Sequence, residues 1–131
     1  RLLMMFTSKG IKQSDIDEYN VQTKEEAENI KDFIVLHYHL TERKDTAFWR
    51  YCSSMEVPDS LKHRMKLFKE SGQVFKKADE LFGETSWIQV MMGQGLMPEQ
   101  YHPIVDMMGD DELRDFLNNI KSRVKRQVEN W

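Results

Sequence analysis

A chain of 131 residues with net charge −3, 31% charged and 40% hydrophobic residues, fits one modest soluble domain able to bury about two-thirds of its unfolded surface. The acidic balance argues against a nucleic-acid partner, no run approaches the ~20 apolar residues of a membrane span, and no signal-peptide pattern opens the chain. A single cysteine, Cys52, excludes an internal disulfide and fits a reducing, cytoplasmic compartment.

The chain starts at Arg1 and runs straight into Leu2-Leu3-Met4-Met5-Phe6, an apolar stretch with no amphipathic partner nearby. A free amino terminus is ordinarily frayed and polar, so a piece of a longer polypeptide is expected. Nine methionines, three tryptophans, four tyrosines and seven phenylalanines also suggest surface that something else covers. Thr7 to Asn20 holds Gly10 and several polar residues without a sustained period, so residues 1–20 read as a connecting segment from an absent upstream module. Residues 21–131 read as an all-α segment with short connections, packing on that module.

Thr23-Lys24-Glu25-Glu26 has the form of a capping box. Ala27, Ile30, Phe33, Ile34, His37 and Leu40 follow at helical spacing, and Val35 and Leu36 widen the stripe until the helix is apolar most of the way round. That predicts a buried, central helix. Thr41 to Lys44 forms a polar turn, and Asp45 or Thr46 caps a second helix carrying Phe48, Trp49, Tyr51, Cys52 and Met55 inward. The stretch Asn29 to Arg50 is therefore an elbow, with Tyr38 ending one helix and Phe48 and Trp49 starting the next.

Pro58 ends the second helix, and Asp59 or Ser60 caps a third with Leu61, Met65 and Phe68 in register. Gly72 stands where a left-handed C-terminal residue is wanted. Gln73 to Phe82 reads as a shorter helical or irregular segment. Trp87, Ile88, Val90, Met91 and Met92 make an apolar patch closed by Gly93-Gln94-Gly95. Those glycines permit a tight turn but are no phosphate loop, because no strand precedes them and the lysine and hydroxyl residue are missing. Pro98 suits the first turn of a helix to about Met108, kinked or split at Pro103. Asp110 and Asp111 cap the last helix, with Leu113, Phe116, Leu117, Ile120, Val124, Val128 and Trp131 on one face.

His37 and His39 straddle one residue and so sit on nearly opposite helix faces, too few and too divided for a metal. Cys52 lies on an apolar face without a histidine in sequence reach, which reads as a buried inert thiol. Arg123, Lys125 and Arg126 follow Asp110, Asp111 and Glu112 in the order that suits the helix dipole, which reads as a solvated face. The pairs Met91-Met92 and Met107-Met108 read as core or interface filler. On spacing alone Tyr38, Phe48 and Trp49 are core aromatics of two packed helices, although such an elbow can also hold a flat aromatic molecule.

The run His37-Tyr38-His39-Leu40-Thr41-Glu42-Arg43-Lys44-Asp45-Thr46-Ala47-Phe48-Trp49, preceded by Ile30-Lys31-Asp32-Phe33, resembles the C-terminal part of flavin-dependent tryptophan halogenases. Pro58-Asp59-Ser60-Leu61, Leu81-Phe82 with Ser86-Trp87, and Gly93-Gln94-Gly95 with Pro98, Tyr101, His102 and Pro103 extend the resemblance in order. It spans roughly Tyr19 to Met108, and the first eighteen residues and the last helix match only in general character.

The resemblance implies a large N-terminal flavin-binding module that holds reduced FAD supplied by a separate reductase. The reduced flavin reacts with oxygen and halide to give hypohalous acid, which reaches a lysine beside an electron-rich ring while a glutamate assists. That lysine, that glutamate and the glycine-rich flavin motif belong upstream, so no catalytic residue is expected here, and Lys44 and Glu42 are not the catalytic pair. What it implies for this segment is substrate recognition. In tryptophan-specific members the tryptophan of a Phe-Trp pair stacks on the indole, and two consecutive tyrosines and a glutamate help hold the amino-acid end. By position Trp49 is the stacking ring, Phe48 lines the pocket and Tyr38 is the second tyrosine, whereas His37 replaces the first tyrosine and Lys44 the glutamate.

An ammonium in place of a carboxylate reverses the charge offered to an α-amino group, so the expected substrate is an indole, phenol or similar ring rather than free tryptophan. The expected partners are this aromatic molecule, a halide and a flavin reductase, with a homodimer left open and no nucleic acid or membrane. Two alternatives stand beside this reading. A related flavin monooxygenase would lack the family's upstream lysine and tryptophan-rich motif, and a non-catalytic helical interaction module would be monodisperse and melt cooperatively by itself.

Overall fold

The computed structural model describes residues 10–76 and 80–129. Its helices are α1 (Gln13–His39), α2 (Ala47–Ser54), α3 (Asp59–Ser71), α4 (Glu84–Gly93) and α5 (Asp110–Glu129), with a 3-10 helix over Pro103–Met107. No strand occurs among the described residues, so the all-α class holds. None of the helices is long and apolar enough to cross a membrane. The expectations for Arg1 to Phe6 and for Trp131 lie outside the described residues.

α1 starts ten residues earlier than Thr23, which corrects the loop expected over Gln13–Asn20 and leaves the Thr23 box inside the helix. The true start is capped by Asp15, whose Oδ2 accepts the Lys12 amide at 2.9 Å. Polar pairs one turn apart, Gln13 with Asp17 and Gln22 with Glu18, then support a solvated stretch that has no apolar period to reveal it. The helix is central but not buried throughout. It packs on α2, α3 and α4, yet only Asp32, Phe33 and Leu36 are buried.

The core joins Phe33 and Leu36 of α1 to Val57, Leu61 and Phe68 at and within α3, then to Val74, Trp87 and Met91. Phe33 lies at its junction, stacked on Phe82 at 4.0 Å and edge-on to Trp87 at 4.9 Å. Arg64 covers Trp87 with its guanidinium 4.1 Å from the ring centroid and pairs with the buried Glu80. Ser60 Oγ donates to the buried Asp32 Oδ2, tying the start of α3 to α1.

α3 ends at Gly72, whose φ of 69° is left-handed as expected. A Cβ there would also meet the Gln100 carbonyl oxygen at 2.8 Å, because Glu99 donates its amide to Lys69 O and brings that strand of chain close. The described part of residues 73–82 is irregular. The helix expected from Pro98 to Met108 is not formed. Proline disfavours helical backbone in the residue before it, His102 is extended, and only the 3-10 helix follows Pro103. α5 spans the expected range but buries none of its residues, and Phe116, Leu117, Ile120, Val124 and Val128 are all exposed.

Candidate functional site

The site lies at the elbow between α1 and α2. Residues 33, 34, 37 and 38 are two pairs one helical turn apart, so they form a single patch near the end of α1. The chain leaves α1 at Leu40, and His39 Nδ1 donates to the Cys52 carbonyl at 3.3 Å, which pulls α2 back alongside. Thr46 is the N-cap of α2, its hydroxyl accepting the Trp49 amide at 3.4 Å. That cap fixes where Trp49 leaves the first turn.

A cavity of ≈ 420 Å³ is lined by Phe33, Ile34, His37, Tyr38, Trp49 and Phe82. Its size suits a mono- or bicyclic ring, within the ordinary ligand-site range of roughly 300–1,000 Å³. Ile34 at 50% and Tyr38 at 39% exposure open it to the surface, whereas Phe33 at 8% makes its floor continuous with the core. Tyr38 and Trp49 stack at 5.8 Å with an interplanar angle of 15°. A third ring between them would need about 7 Å, two contact distances, so the wall is open to a flat ring from one side and not by insertion.

Of the residues expected at the site, Trp49, Tyr38 and His37 line the cavity together. Phe48 does not. It is 55% exposed and buttresses Trp49 edge-on at 5.0 Å and Tyr38 at 6.1 Å. Phe48 and Tyr51 therefore do not point inward as expected from α2, whose buried residue is Cys52. Lys44 is exposed in the turn and outside the lining, and its carbonyl accepts from Arg50 Nη1 at 2.8 Å.

Three lining residues escaped the sequence reading: Phe33 and Ile34, which helical periodicity assigned to core, and Phe82, which folding brings in from far along the chain. Arg43 escaped it too. Its guanidinium lies 4.6 Å from the Trp49 centroid and is held by Asp45 through bonds of 3.1 and 2.8 Å. The Asp45 hydrogen bond raises the Arg43 pKa, and the same bond holds the Asp45 carboxyl below its usual range. The arginine-then-aspartate spacing in a turn was the available clue.

His37 Nδ1 lies 2.7 Å from the Phe33 carbonyl, and its ring is edge-on to the Phe33 ring at 4.8 Å. Among the described residues no group of three or more histidine, cysteine, aspartate or glutamate side chains is placed to hold a metal.

The tryptophan halogenase family model matches residues 1–110. The chain belongs to the tryptophan halogenase family. The match takes in the first eighteen residues, which bore little resemblance by motif, and stops at the start of α5. Among solved structures the family member is similar to Xcc4156, a flavin-dependent halogenase from Xanthomonas campestris, with 55% identity and a TM-score of 0.90 over 98% of this chain and 26% of that one. It is similar to BrvH, a flavin-dependent halogenase from Brevundimonas sp. BAL3, with 37% identity and a TM-score of 0.82 over 90% of this chain and 24% of that one. The tryptophan 6-halogenase ThaL of Streptomyces albogriseolus is 28% identical over 64 residues, 49% of this chain and 12% of that protein. The chain thus spans about a quarter of the solved halogenases and less of ThaL.

Family membership implies a flavin, and the described residues of this family member do not themselves show one of its binding motifs. They contain no strand leading into a glycine-rich loop, and Gly93-Gln94-Gly95 instead closes α4. Gly95 has φ 86°, and a Cβ there would lie 3.1 Å from Glu42 Oε1, so the glycine admits the side chain of the α1–α2 turn.

Proposed function

We propose that this chain is the C-terminal substrate-recognition segment of a flavin-dependent halogenase acting on an electron-rich, indole-like aromatic rather than free tryptophan. Reduced FAD, the catalytic lysine and the assisting glutamate belong to the upstream module, and a separate flavin reductase and a halide complete the reaction. Trp49 and Tyr38 offer the ring wall, His37 the polar edge, and Phe48 supports Trp49 from outside.

The observation that carries this reading is a cavity whose lining, among the described residues, is aromatic and aliphatic and holds no carboxylate. An α-amino group placed there would find no countercharge among the described lining residues, whereas an uncharged ring needs none. Lys44, where the family pattern has its glutamate, strengthens the case against an amino-acid end. The exposed apolar face of α5 supports a covering element, either the upstream module or a second subunit.

The experiment is halogenation by the full-length enzyme, with reductase, FAD and halide, of free tryptophan against indole and simple phenols. We expect indoles or phenols to be turned over with kcat/KM at least about tenfold above tryptophan. A strong preference for tryptophan overturns the reading.

A further inference from the structure

We infer that His37 is the fixed hydrogen-bond acceptor of the cavity, selecting an uncharged aromatic molecule that carries an N–H or O–H donor on its ring or a short substituent. The inference rests on reading the cavity as an aromatic-substrate site.

The helix itself sets the tautomer. A carbonyl oxygen can only accept, so the 2.7 Å contact between His37 Nδ1 and Phe33 O places the hydrogen on Nδ1. In neutral imidazole the other nitrogen is then an acceptor. Nδ1 is turned back toward the α1 backbone, so the far edge of the ring, with Nε2, is what His37 presents. The Phe33 ring, edge-on at 82°, holds the imidazole plane. Nε2 has no partner among the described residues and is not one of the sealed-off unsatisfied atoms.

The other lining groups leave His37 a distinct part. Phe33, Ile34 and Phe82 have no polar side-chain atom, and the Trp49 indole can only donate. Tyr38 has a rotating hydroxyl that donates or accepts, so it discriminates little. Among these side chains, the neutral His37 ring offers at Nε2 the one atom committed to accepting. An ammonium could also donate to it, but among the described lining residues no carboxylate would balance that charge. A neutral donor remains. Placed by Nε2 with its ring against the Tyr38–Trp49 wall, such a molecule is held at two points and hence in one orientation.

The test uses the full-length enzyme and matched substrates differing by one methyl group: indole and 1-methylindole, phenol and anisole, tryptophol and its methyl ether. In the wild type, masking the donor in at least one pair is expected to raise KM about 3- to 10-fold with kcat little changed, the range of one neutral hydrogen bond. In His37→Phe that KM ratio falls toward one, and His37→Gln, which restores a side-chain carbonyl acceptor, recovers part of it. The phenylalanine variant keeps a ring of similar bulk, so any ratio that persists there measures the size of the methyl group. Equal KM within every wild-type pair, or the same ratio in His37→Phe, overturns the inference while leaving the aromatic site standing. Failure of the folded wild-type enzyme to bind or halogenate any of the six compounds overturns the site reading itself, and this inference with it.

Discussion

Replacing Trp49 by alanine in the full-length protein probes the cavity wall most directly. The indole stacks on Tyr38 at 5.8 Å, meets Phe48 at 5.0 Å and lies under the Arg43 guanidinium at 4.6 Å. Two ring pairs of about 0.5–1.5 kcal/mol each and an exposed cation–π contact of about 0.5–1 kcal/mol set the internal cost. Because the ring is only half-buried and its neighbours Tyr38, Phe48 and Arg43 are exposed, a destabilisation near 1–2 kcal/mol is expected. The ligand loses one ring contact of about 0.5–1.5 kcal/mol. It also loses about 50 Å² of apolar cover, worth about 1.3 kcal/mol at roughly 25 cal/mol per Å². Together these raise KM for indole roughly 20- to 100-fold, at about 1.4 kcal/mol per factor of ten. Steady-state halogenation measures it, with thermal unfolding alongside to show that the variant folds. Trp49→Phe keeps a ring and should stay within about fivefold of wild type. A Trp49→Ala enzyme that unfolds cooperatively and keeps KM within twofold of wild type refutes the recognition role of this wall.

Lys44→Glu should raise the ratio of tryptophan to indole turnover, but by no more than about fivefold, because the side chain is exposed and such a pair contributes about 0–1 kcal/mol. The gain should shrink as salt is added, and an unchanged ratio at low salt counts against the charge argument. Gly72→Ala meets both a left-handed φ of 69° and the Gln100 oxygen 2.8 Å away. It should lower unfolding stability in urea by about 2 kcal/mol or more, since the backbone conformation alone costs an L-residue about 1–2 kcal/mol. Arg43 depresses the Asp45 pKa through their hydrogen bond, so this pair contributes stability above the ordinary carboxylate pKa and loses it as pH falls through the lower folded value. An NMR titration should place the Asp45 midpoint below that of an unpaired aspartate in wild type and return it to the ordinary range in Arg43→Gln.

The parts of this molecule that were legible in the sequence are the ones governed by neighbours in the chain. Thr46 caps α2, Gly72 ends α3, and Phe33 with His37 and Ile34 with Tyr38 follow from one turn of helix. The capping hydroxyl and the aromatic pair carry their own local geometry. What escaped was decided by contacts far along the chain or by solvent. Gln13–Asn20 is helical through side-chain pairs and propensity, which leave no apolar period to read. Phe48 and Tyr51 look like core residues by composition, but α2 is short and Cys52 is its one buried residue, so their rings stay exposed. Phe82 reaches the cavity because Phe33 draws it there by stacking, a pairing that no spacing rule encodes. Arg43 could be seen in the turn, although its place above Trp49 depends on how Asp45 folds the chain back on itself.

The cavity joins two regions with different tolerance for change, and the division falls along its lining. Its floor is Phe33, which also contacts Phe82, Trp87 and His37 and belongs to the core cluster. Truncating that ring would open a void beside Trp87 at about 3–5 kcal/mol, a large part of a domain's stability. His37 is tied to the same residue twice, its Nδ1 bonded to the Phe33 carbonyl and its ring edge-on to the Phe33 ring, so a side-chain change at residue 33 that leaves α1 helical keeps the backbone bond but frees the imidazole plane. The rim behaves otherwise. Trp49 and Tyr38 stand outside the core cluster and Lys44 is exposed, so substitutions there should alter the cavity wall and its approach at modest cost to the fold. Selectivity among aromatic substrates should therefore be adjustable at residues 37, 38, 44 and 49, whereas variation at residues 33 and 82 should register first as lost stability.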